Sequence, residues 1–359
     1  MDINMSERVL MKGNEALAEA AIRAGCRCYF GYPITPQTEI AAYMARRLPK
    51  INGVFLQAES EIGAINMVYG CAGSGARCMT SSSSPGISLK AEGISYLAGA
   101  DLPCVIVNIQ RGGPGLGTIQ PSQADYWQAT RAIGHGDLRI PVFAPATVQE
   151  MVDLTTKAFE VAEKYRTPVM ILADGFLGQM MEPMSFSGED KSGKREEPFA
   201  WGAFGHGNKR KKNIVNSLYL KPEALEAQIE ERFKRYKQIK EKESTAVCGE
   251  QAETAEIIVV AYGCTARTAQ AAVHKAQDEG LKVELFRPVT LWPFPEKQLK
   301  DACKNAKTVL VTEMSKGQMV DDVKLALECK IPVEFFGRTG GIVPEPDEIL
   351  QKIKEMVVN

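Results

Sequence analysis

Apolar positions along the chain follow two rhythms. Short continuous runs stop at Gly, Pro or Ser, and longer stretches carry apolar residues three and four apart. The first rhythm predicts buried strands, the second amphipathic helices. Residues 13–25 are rich in Ala, Leu and Glu, which favour a helix, and Gly25 is a natural stop. Tyr29, Phe30 and Tyr32 supply the aromatic content of a strand, whose ladder Pro33 and Pro36 cannot continue. Thr35 then stands as N-cap of a helix to about Arg47, with Pro36 in its first turn. A strand over 54–58 leads to a helix opened by Glu59-Ser60-Glu61, with Ile62, Ile65, Val68 and Tyr69 on one face. A strand over 77–80 runs into a polar loop, Ser81-Ser82-Ser83-Ser84-Pro85-Gly86, before a helix over 87–98. The apolar run 103–109 reads as a strand buried on both faces, followed by a helix over 147–165 and another buried strand over 168–173.

The rhythm breaks between 185 and 250. The charged, glycine-flanked stretches 191–197 and 209–212 read as solvated connection, and 222–243 as a charged helix with a thin apolar stripe at Leu225, Ile229 and Phe233. Alternation then restarts, with strands over 257–261, 282–286, 308–312 and 332–336. Between and after them come helices over 265–277, 295–306 and 317–328, and one from Pro346. The pattern predicts an α/β protein of two doubly wound, mostly parallel-sheet domains, over 8–184 and 254–359, joined by a linker with a charged helix over 185–253.

A length of 359 residues accommodates two such domains, and 45% hydrophobic with 24% charged residues is ordinary for a globular chain. A net charge of −1 argues against a broad surface for nucleic acid or an anionic membrane. No apolar run reaches the length of a membrane span, and the first residues lack the pattern of a secretory signal, so a cytoplasmic location is expected. The nine cysteines are scattered without Cys-x-x-Cys or iron–sulfur spacing and read as reduced, mostly buried thiols. The three histidines make no helical metal pair.

Open α/β sheets bind ligands at the carboxyl ends of their strands. Three candidates sit at such ends. The turn Tyr32-Pro33-Ile34-Thr35-Pro36 precedes a helix N-terminus, which suits an anion such as a carboxylate. The glycine-rich stretch Gln110-Arg111-Gly112-Gly113-Pro114-Gly115-Leu116-Gly117-Thr118 offers one cation, Arg111, and has neither P-loop nor dinucleotide spacing. Glu59 and Glu61 stand in the first turn of a helix. From the residues alone each also has a plain structural reading: a self-capping turn, a solvated arginine, and dipole complementarity. In the second domain, Arg287-Pro288 and Glu313 follow strands without a nucleophile–base pair.

Taken in order, Tyr32-Pro33-Ile34-Thr35-Pro36, Glu59-Ser60-Glu61, Thr80-Ser81-Ser82-Ser83-Ser84-Pro85-Gly86, Arg111-Gly112-Gly113-Pro114-Gly115 and Gln120-Pro121-Ser122-Gln123-Ala124-Asp125 resemble the 2-oxoacid:ferredoxin (acceptor) oxidoreductases. The likeness is to the subunit that joins a thiamine-diphosphate pyrimidine-binding domain to a transketolase C-terminal-like domain. It covers nearly the whole chain. It is nearest to the 3-methyl-2-oxobutanoate (2-ketoisovalerate) type, with the 2-oxoglutarate type close behind.

The resemblance implies half an active site. A partner subunit holds the diphosphate and Mg²⁺ of thiamine diphosphate through a Gly-Asp-Gly…Asn motif; here only Ala173-Asp174-Gly175 comes near it. [4Fe-4S] clusters in ferredoxin-like and gamma-type partner subunits pass electrons to ferredoxin, and coenzyme A takes the acyl group. By position Glu61 matches the family's catalytic glutamate at the pyrimidine N1′, with Glu59 its rival. A carboxyl in an apolar site, where burial disfavours its charged form, suits that acid–base role. Thr35, Arg111 and Pro33 match the substrate-binding positions, and Ser83, Ser84, Pro85 and Gly86 those lying against the cofactor. No metal ligand is implied in this chain. Three other readings stand beside this one: a 2-oxoglutarate enzyme, the β-type subunit of a lipoamide-linked 2-oxoacid dehydrogenase, and a non-catalytic scaffold.

Overall fold

The computed structural model describes residues 8–194 and 197–358; the N-terminal segment read for a targeting signal, and Arg195 and Glu196 of the charged stretch, lie outside the described residues. The first part of the chain forms β1 (Val9–Lys12), α1 (Gly13–Arg23), β2 (Cys28–Gly31), α2 (Thr38–Arg47), β3 (Val54–Gln57), α3 (Glu61–Gly73), β4 (Cys78–Ser82), α4 (Ser84–Gly99) and β5 (Cys104–Gln110). It continues through α5 (Tyr126–Thr130), β6 (Val142–Phe143), α6 (Val148–Tyr165), β7 (Pro168–Asp174), α7 (Gly175–Gln179) and β8 (Met181–Met184). The connection carries α8 (Pro222–Lys242) and β9 (Ala246–Cys248). The last part forms β10 (Ile257–Val260), α9 (Gly263–Asp278), β11 (Val283–Pro288), β12 (Thr290–Trp292), α10 (Glu296–Ala302), β13 (Thr308–Glu313), α11 (Met319–Ala326), β14 (Val333–Gly337) and α12 (Pro346–Val358).

Strands of the first sheet run in the order β12-β6-β7-β5-β4-β2-β3, parallel throughout except for β12. Those of the second run β14-β13-β10-β11-β9, parallel except for β9. Helices cover both faces, as a doubly wound sheet requires. β5 and β7 lie at the centre of the first sheet and are buried along their whole length, which is why their apolar runs do not alternate. One apolar core runs through both domains, and a smaller one fills the space between the second sheet and α9 and α12.

Several local expectations are corrected. The serine stretch is not a loop: Ser81 and Ser82 extend β4 and Ser84 opens α4 with its N–H on Asn108 Oδ1 at 3.1 Å. On α3, Ile65 and Val68 are buried but Ile62 is 52% exposed, because the buried face of the helix runs through Glu61, Ala64, Ile65 and Val68. The stripe on α8 is buried only beyond Phe233, at Tyr236 and Ile239, where the helix meets the first domain.

The segment 120–125 joins the two domains. Gln123 is buried, and its Nε2 donates to the Tyr262 carbonyl at 2.7 Å. Its Oε1 accepts from Thr265 Oγ1 at 2.7 Å and from the Met314 N–H at 3.0 Å. Arg287, left without a role by its sequence context, forms a bidentate pair with Glu150 of α6 at 2.6 and 2.9 Å. Glu313 accepts from the N–H groups of Gln318, Met319 and Val320 and so caps the loop into α11.

Candidate functional site

Four adjacent parallel strands, β5-β4-β2-β3, each deliver one of the singled-out segments at the carboxyl end. Arg111 follows β5, Ser81 and Ser82 end β4 with Ser83 and Ser84 after it, the 32–36 turn follows β2, and Glu61 follows β3 across a short link.

Thr35 does not cap α2. The helix begins at Thr38 after a turn in which the Gln37 N–H donates to the Ile34 carbonyl at 3.2 Å. Gln37 occupies the capping position but spends its side chain inward. Its Nε2 reaches the Tyr32 carbonyl at 3.3 Å, and its Oε1 accepts from Ser81 Oγ, itself paired with Tyr29 Oη at 2.6 Å. This buried polar chain fixes the turn against β4 and leaves Pro33 and Thr35 exposed at the surface.

Arg111 is no solvated loop residue: only 7% of it is exposed. Its Nη1 donates to the Thr35 carbonyl at 3.0 Å and its Nη2 to the Leu116 carbonyl at 3.3 Å, while its Nε has no partner. The backbone beneath it is anchored by Ser84, whose Oγ accepts from the Arg111 N–H at 3.0 Å and donates to Asp125 at 2.6 Å. Asn108 also donates to Asp125, at 2.9 Å. Burial pushes the Asp125 carboxyl up, and the bonds from Ser84 and Asn108 with the nearby Arg111 charge pull it down.

Ser60 N-caps α3, accepting from the Gly63 N–H at 3.0 Å. That cap turns the two glutamates apart. Glu59 is exposed over Gly63, whereas Glu61 is buried to 6% exposure. The Glu61 carboxyl lies over Gly86: a β-carbon there would fall 2.8 Å from Glu61 Oε1 and 2.1 Å from Ser82 Oγ. Glycine is what lets the carboxyl and the serine meet the start of α4. The Glu61 carboxyl has no hydrogen-bond partner among the described residues, and the buried hydroxyls of Ser82 and Ser83 have none either. Buried polar groups left unpaired are costly. A carboxyl, two hydroxyls and a guanidinium Nε, all unspent at one sheet end, fit a polar ligand with a nitrogen to share a proton and an anion to bind.

The structure thus brings Thr35 and Arg111 into contact, ties Arg111 to Ser84, and sets Glu61 on Gly86, two residues beyond Ser84; Pro33 is exposed in the turn before Thr35, and Pro85 stands between Ser84 and Gly86 in α4. Asp174 of the Ala173-Asp174-Gly175 stretch accepts from the N–H groups of Phe176 and Leu177, so it serves as the cap of α7. Sequence reasoning missed Asn108, Gln37 and Lys90. Lys90 carried a signal: with Ile87, Ile94 and Leu97 it shares the apolar spacing of α4. It is fully buried, and its Nζ donates to Thr80 Oγ1 at 2.7 Å and the Ser81 carbonyl at 3.0 Å.

The chain thus joins a doubly wound domain to a second, smaller α/β domain. A split-gene transketolase described as an inactive β4 tetramer has this fold, with a TM-score of 0.60 at 14% identity over 97% of this chain and 98% of that one. The pyruvate flavodoxin/ferredoxin oxidoreductase thiamine-diphosphate-binding family matches residues 19–247, and pyruvate:ferredoxin oxidoreductase core domain II matches 255–349. The chain belongs to the 2-oxoacid:ferredoxin oxidoreductase family, and it is a subunit of an enzyme that works as a multi-subunit complex.

Ketoisovalerate oxidoreductase subunit VorB of Methanothermobacter marburgensis is 48% identical over 97% of both chains. 2-Oxoglutarate synthase subunit KorA of Methanothermobacter thermautotrophicus is 38% identical over 98% of this chain and 100% of its own. The 2-oxoglutarate:ferredoxin oxidoreductase of Magnetococcus marinus, solved with 2-oxoglutarate, coenzyme A and succinyl-CoA, has a TM-score of 0.86 at 27% identity. It matches over 98% of this chain, which spans 66% of that one. No helix among the described residues is long and apolar enough to cross a membrane.

Proposed function

We propose that this chain is the pyrimidine-side subunit of a 3-methyl-2-oxobutanoate:ferredoxin oxidoreductase, which converts the branched 2-oxoacid and coenzyme A to acyl-CoA and CO₂ with electrons passing to ferredoxin. The observation that carries the reading is the Glu61 carboxyl, buried at a sheet end with no hydrogen-bond partner among the described residues of its own chain. Thiamine diphosphate supplies, when bound, the nucleophilic carbon for attack on the keto group. Glu61 holds and returns the proton at the pyrimidine N1′, the role that makes the neighbouring amino group an internal base. Ser82 keeps a buried, unpaired hydroxyl beside Gly86, whose missing β-carbon lets the Glu61 carboxyl approach the start of α4. Arg111 and Thr35 receive the substrate carboxylate, with the free Nε of Arg111 as a charge-assisted donor.

The diphosphate, Mg²⁺ and [4Fe-4S] clusters belong to partner subunits in this reading, and the exposed Thr35, Leu116 and Ile119 face the surface where such a partner closes the site. The branched substrate is supported by the 48% identity to a ketoisovalerate oxidoreductase subunit. The test is 2-oxoacid-dependent reduction of a viologen dye by the co-expressed complex, with thiamine diphosphate and coenzyme A. The panel holds pyruvate, 2-oxoglutarate, 3-methyl-2-oxobutanoate and an aryl pyruvate. Preference for the branched acid is expected, and preference for 2-oxoglutarate would move the assignment to that substrate. In the same assay Glu61→Ala is expected to cut turnover at least about a hundredfold with assembly intact. Near-normal turnover would leave only a scaffold role.

A further inference from the structure

Asp125 closes the segment 120–125, whose Gln123 is fastened to the second domain by three hydrogen bonds. From that fixed base it turns into the first sheet. Its N–H donates to Gln110 Oε1 at 3.2 Å, and its Oδ2 accepts from Ser84 Oγ at 2.6 Å and from Asn108 Nδ2 at 2.9 Å. Asn108 Oδ1 accepts in turn from the Ser84 N–H at 3.1 Å, so Ser84, Asn108 and Asp125 close a circuit. Backbone groups fix the direction of its bonds. The Ser84 N–H can only donate, so Asn108 turns its oxygen to Ser84 and its amide nitrogen to Asp125. The Arg111 N–H can only donate too, and Ser84 Oγ accepts it at 3.0 Å. Without Asp125 Oδ2 the Ser84 hydroxyl is free to turn to the Arg111 carbonyl, 3.1 Å away.

This circuit lies under the arginine that spans two loops. The guanidinium is bound to the Thr35 and Leu116 carbonyls, so Asp125 reaches Arg111 through Ser84 and the backbone. The chain that leaves β5 at Arg111 also returns to pair beside it. Arg111 bridges Pro121, and the Gly112 N–H donates to the Gln120 carbonyl at 3.0 Å. Arg111 is therefore set between Ser84 and the segment that ends in Asp125. Ser84 holds φ at +21°, a conformation that residues other than glycine keep only where their surroundings enforce it. We propose that Asp125 is a positioning residue for substrate binding: through Ser84 and Asn108 it sets the backbone of Arg111, and with it the reach of the guanidinium toward the substrate carboxylate. The inference rests on the reading of Arg111 given above.

The test is the steady-state kinetics of the assembled complex carrying D125A, followed by viologen reduction with the preferred 2-oxoacid of the panel. KM for that acid should rise about tenfold with kcat little changed, because the carboxylate contact is already made in the ground state. D125N keeps an oxygen for Ser84 and Asn108 and should recover most of the rise. In an R111A background D125A should add nothing further, since both substitutions remove one interaction. Four results overturn the proposal: an unchanged KM in D125A, a fall in kcat at unchanged KM, no recovery in D125N, or a full further rise in the R111A background.

If D125A fails to assemble, S84A decides. It removes one hydroxyl and leaves Asn108 on Asp125. A raised KM with kcat little changed supports the proposal, and an unchanged KM refutes it. The prior reading fails separately, through an unchanged KM in R111A alone; a raised KM there beside a wild-type KM in D125A defeats only the role of Asp125.

Discussion

Gln123→Ala tests the joint on which the site is mounted. The wild-type side chain makes three buried hydrogen bonds to the second domain, through Nε2 to the Tyr262 carbonyl and through Oε1 from Thr265 and Met314. Alanine removes all three. The Thr265 hydroxyl can rotate to another acceptor and the Tyr262 carbonyl keeps its bond from the Ala266 N–H at 3.3 Å, but the Met314 N–H is a fixed donor of a buried residue. A stranded buried donor costs ~1–3 kcal/mol, which sets the expected loss. That is a large fraction of the ~5–15 kcal/mol by which a folded protein is stable. Gln123→Glu is the informative companion. It keeps the shape and both accepted bonds but sets a carboxylate oxygen where the amide donated to the Tyr262 carbonyl at 2.7 Å. It should fall on the same side as alanine. The assay is scanning calorimetry of the assembled complex with urea unfolding in parallel. Variants within about 0.5 kcal/mol of wild type would refute the claim that these bonds hold the domains together.

Gly86→Ala adds a methyl 2.1 Å from Ser82 Oγ and 2.8 Å from Glu61 Oε1, an overpacking of ~1–3 kcal/mol. Thiamine diphosphate affinity should drop about tenfold or more by fluorescence titration, and an unchanged affinity would remove Glu61 from the cofactor surface. Arg111→Ala should mainly raise KM for the 2-oxoacid, by about tenfold to a hundredfold for a charge-assisted bond, with kcat less affected; an unchanged KM counts against it. The folded chain holds Lys90 near 7, while an unfolded lysine titrates near about 10.4. Between those values the unfolded chain carries the extra proton, so stability should climb with pH, and K90M should lack that climb. Urea midpoints at about pH 7 and about pH 9 measure it, and an equal rise in both proteins would refute it.

The alternation of strand and helix was legible because β5, β7, β10 and β13 carry long apolar runs in central positions. The antiparallel additions were not. β9 and β12 are three residues each, too short for a periodic signal, and their pairing is set by tertiary contact. At the site, the segments at strand ends were visible as motifs, but their side-chain states were not. Thr35 looked like a cap because its type and place suit one; the turn displaced the helix start because Gln37 is drawn to Ser81 and Tyr32. Arg111 looked solvated because glycines surround it, and only the fold brings the Thr35 carbonyl to its guanidinium. Glu59 and Glu61 are indistinguishable by type; the Ser60 cap decides which one turns inward.

The crossing of β12 onto β6 makes the two halves of the chain inseparable as folding units. A cut between the spans of the two family matches, at 248–254, would divide the chain where its pattern changes, yet it would strip β12 from β6 and β9 from β11. Each half would then expose a row of unpaired backbone groups beside apolar side chains, the template on which sheets grow from one molecule into the next. Expressed alone, either half is expected to precipitate, whereas the two halves produced together should find each other's open edges and reassemble.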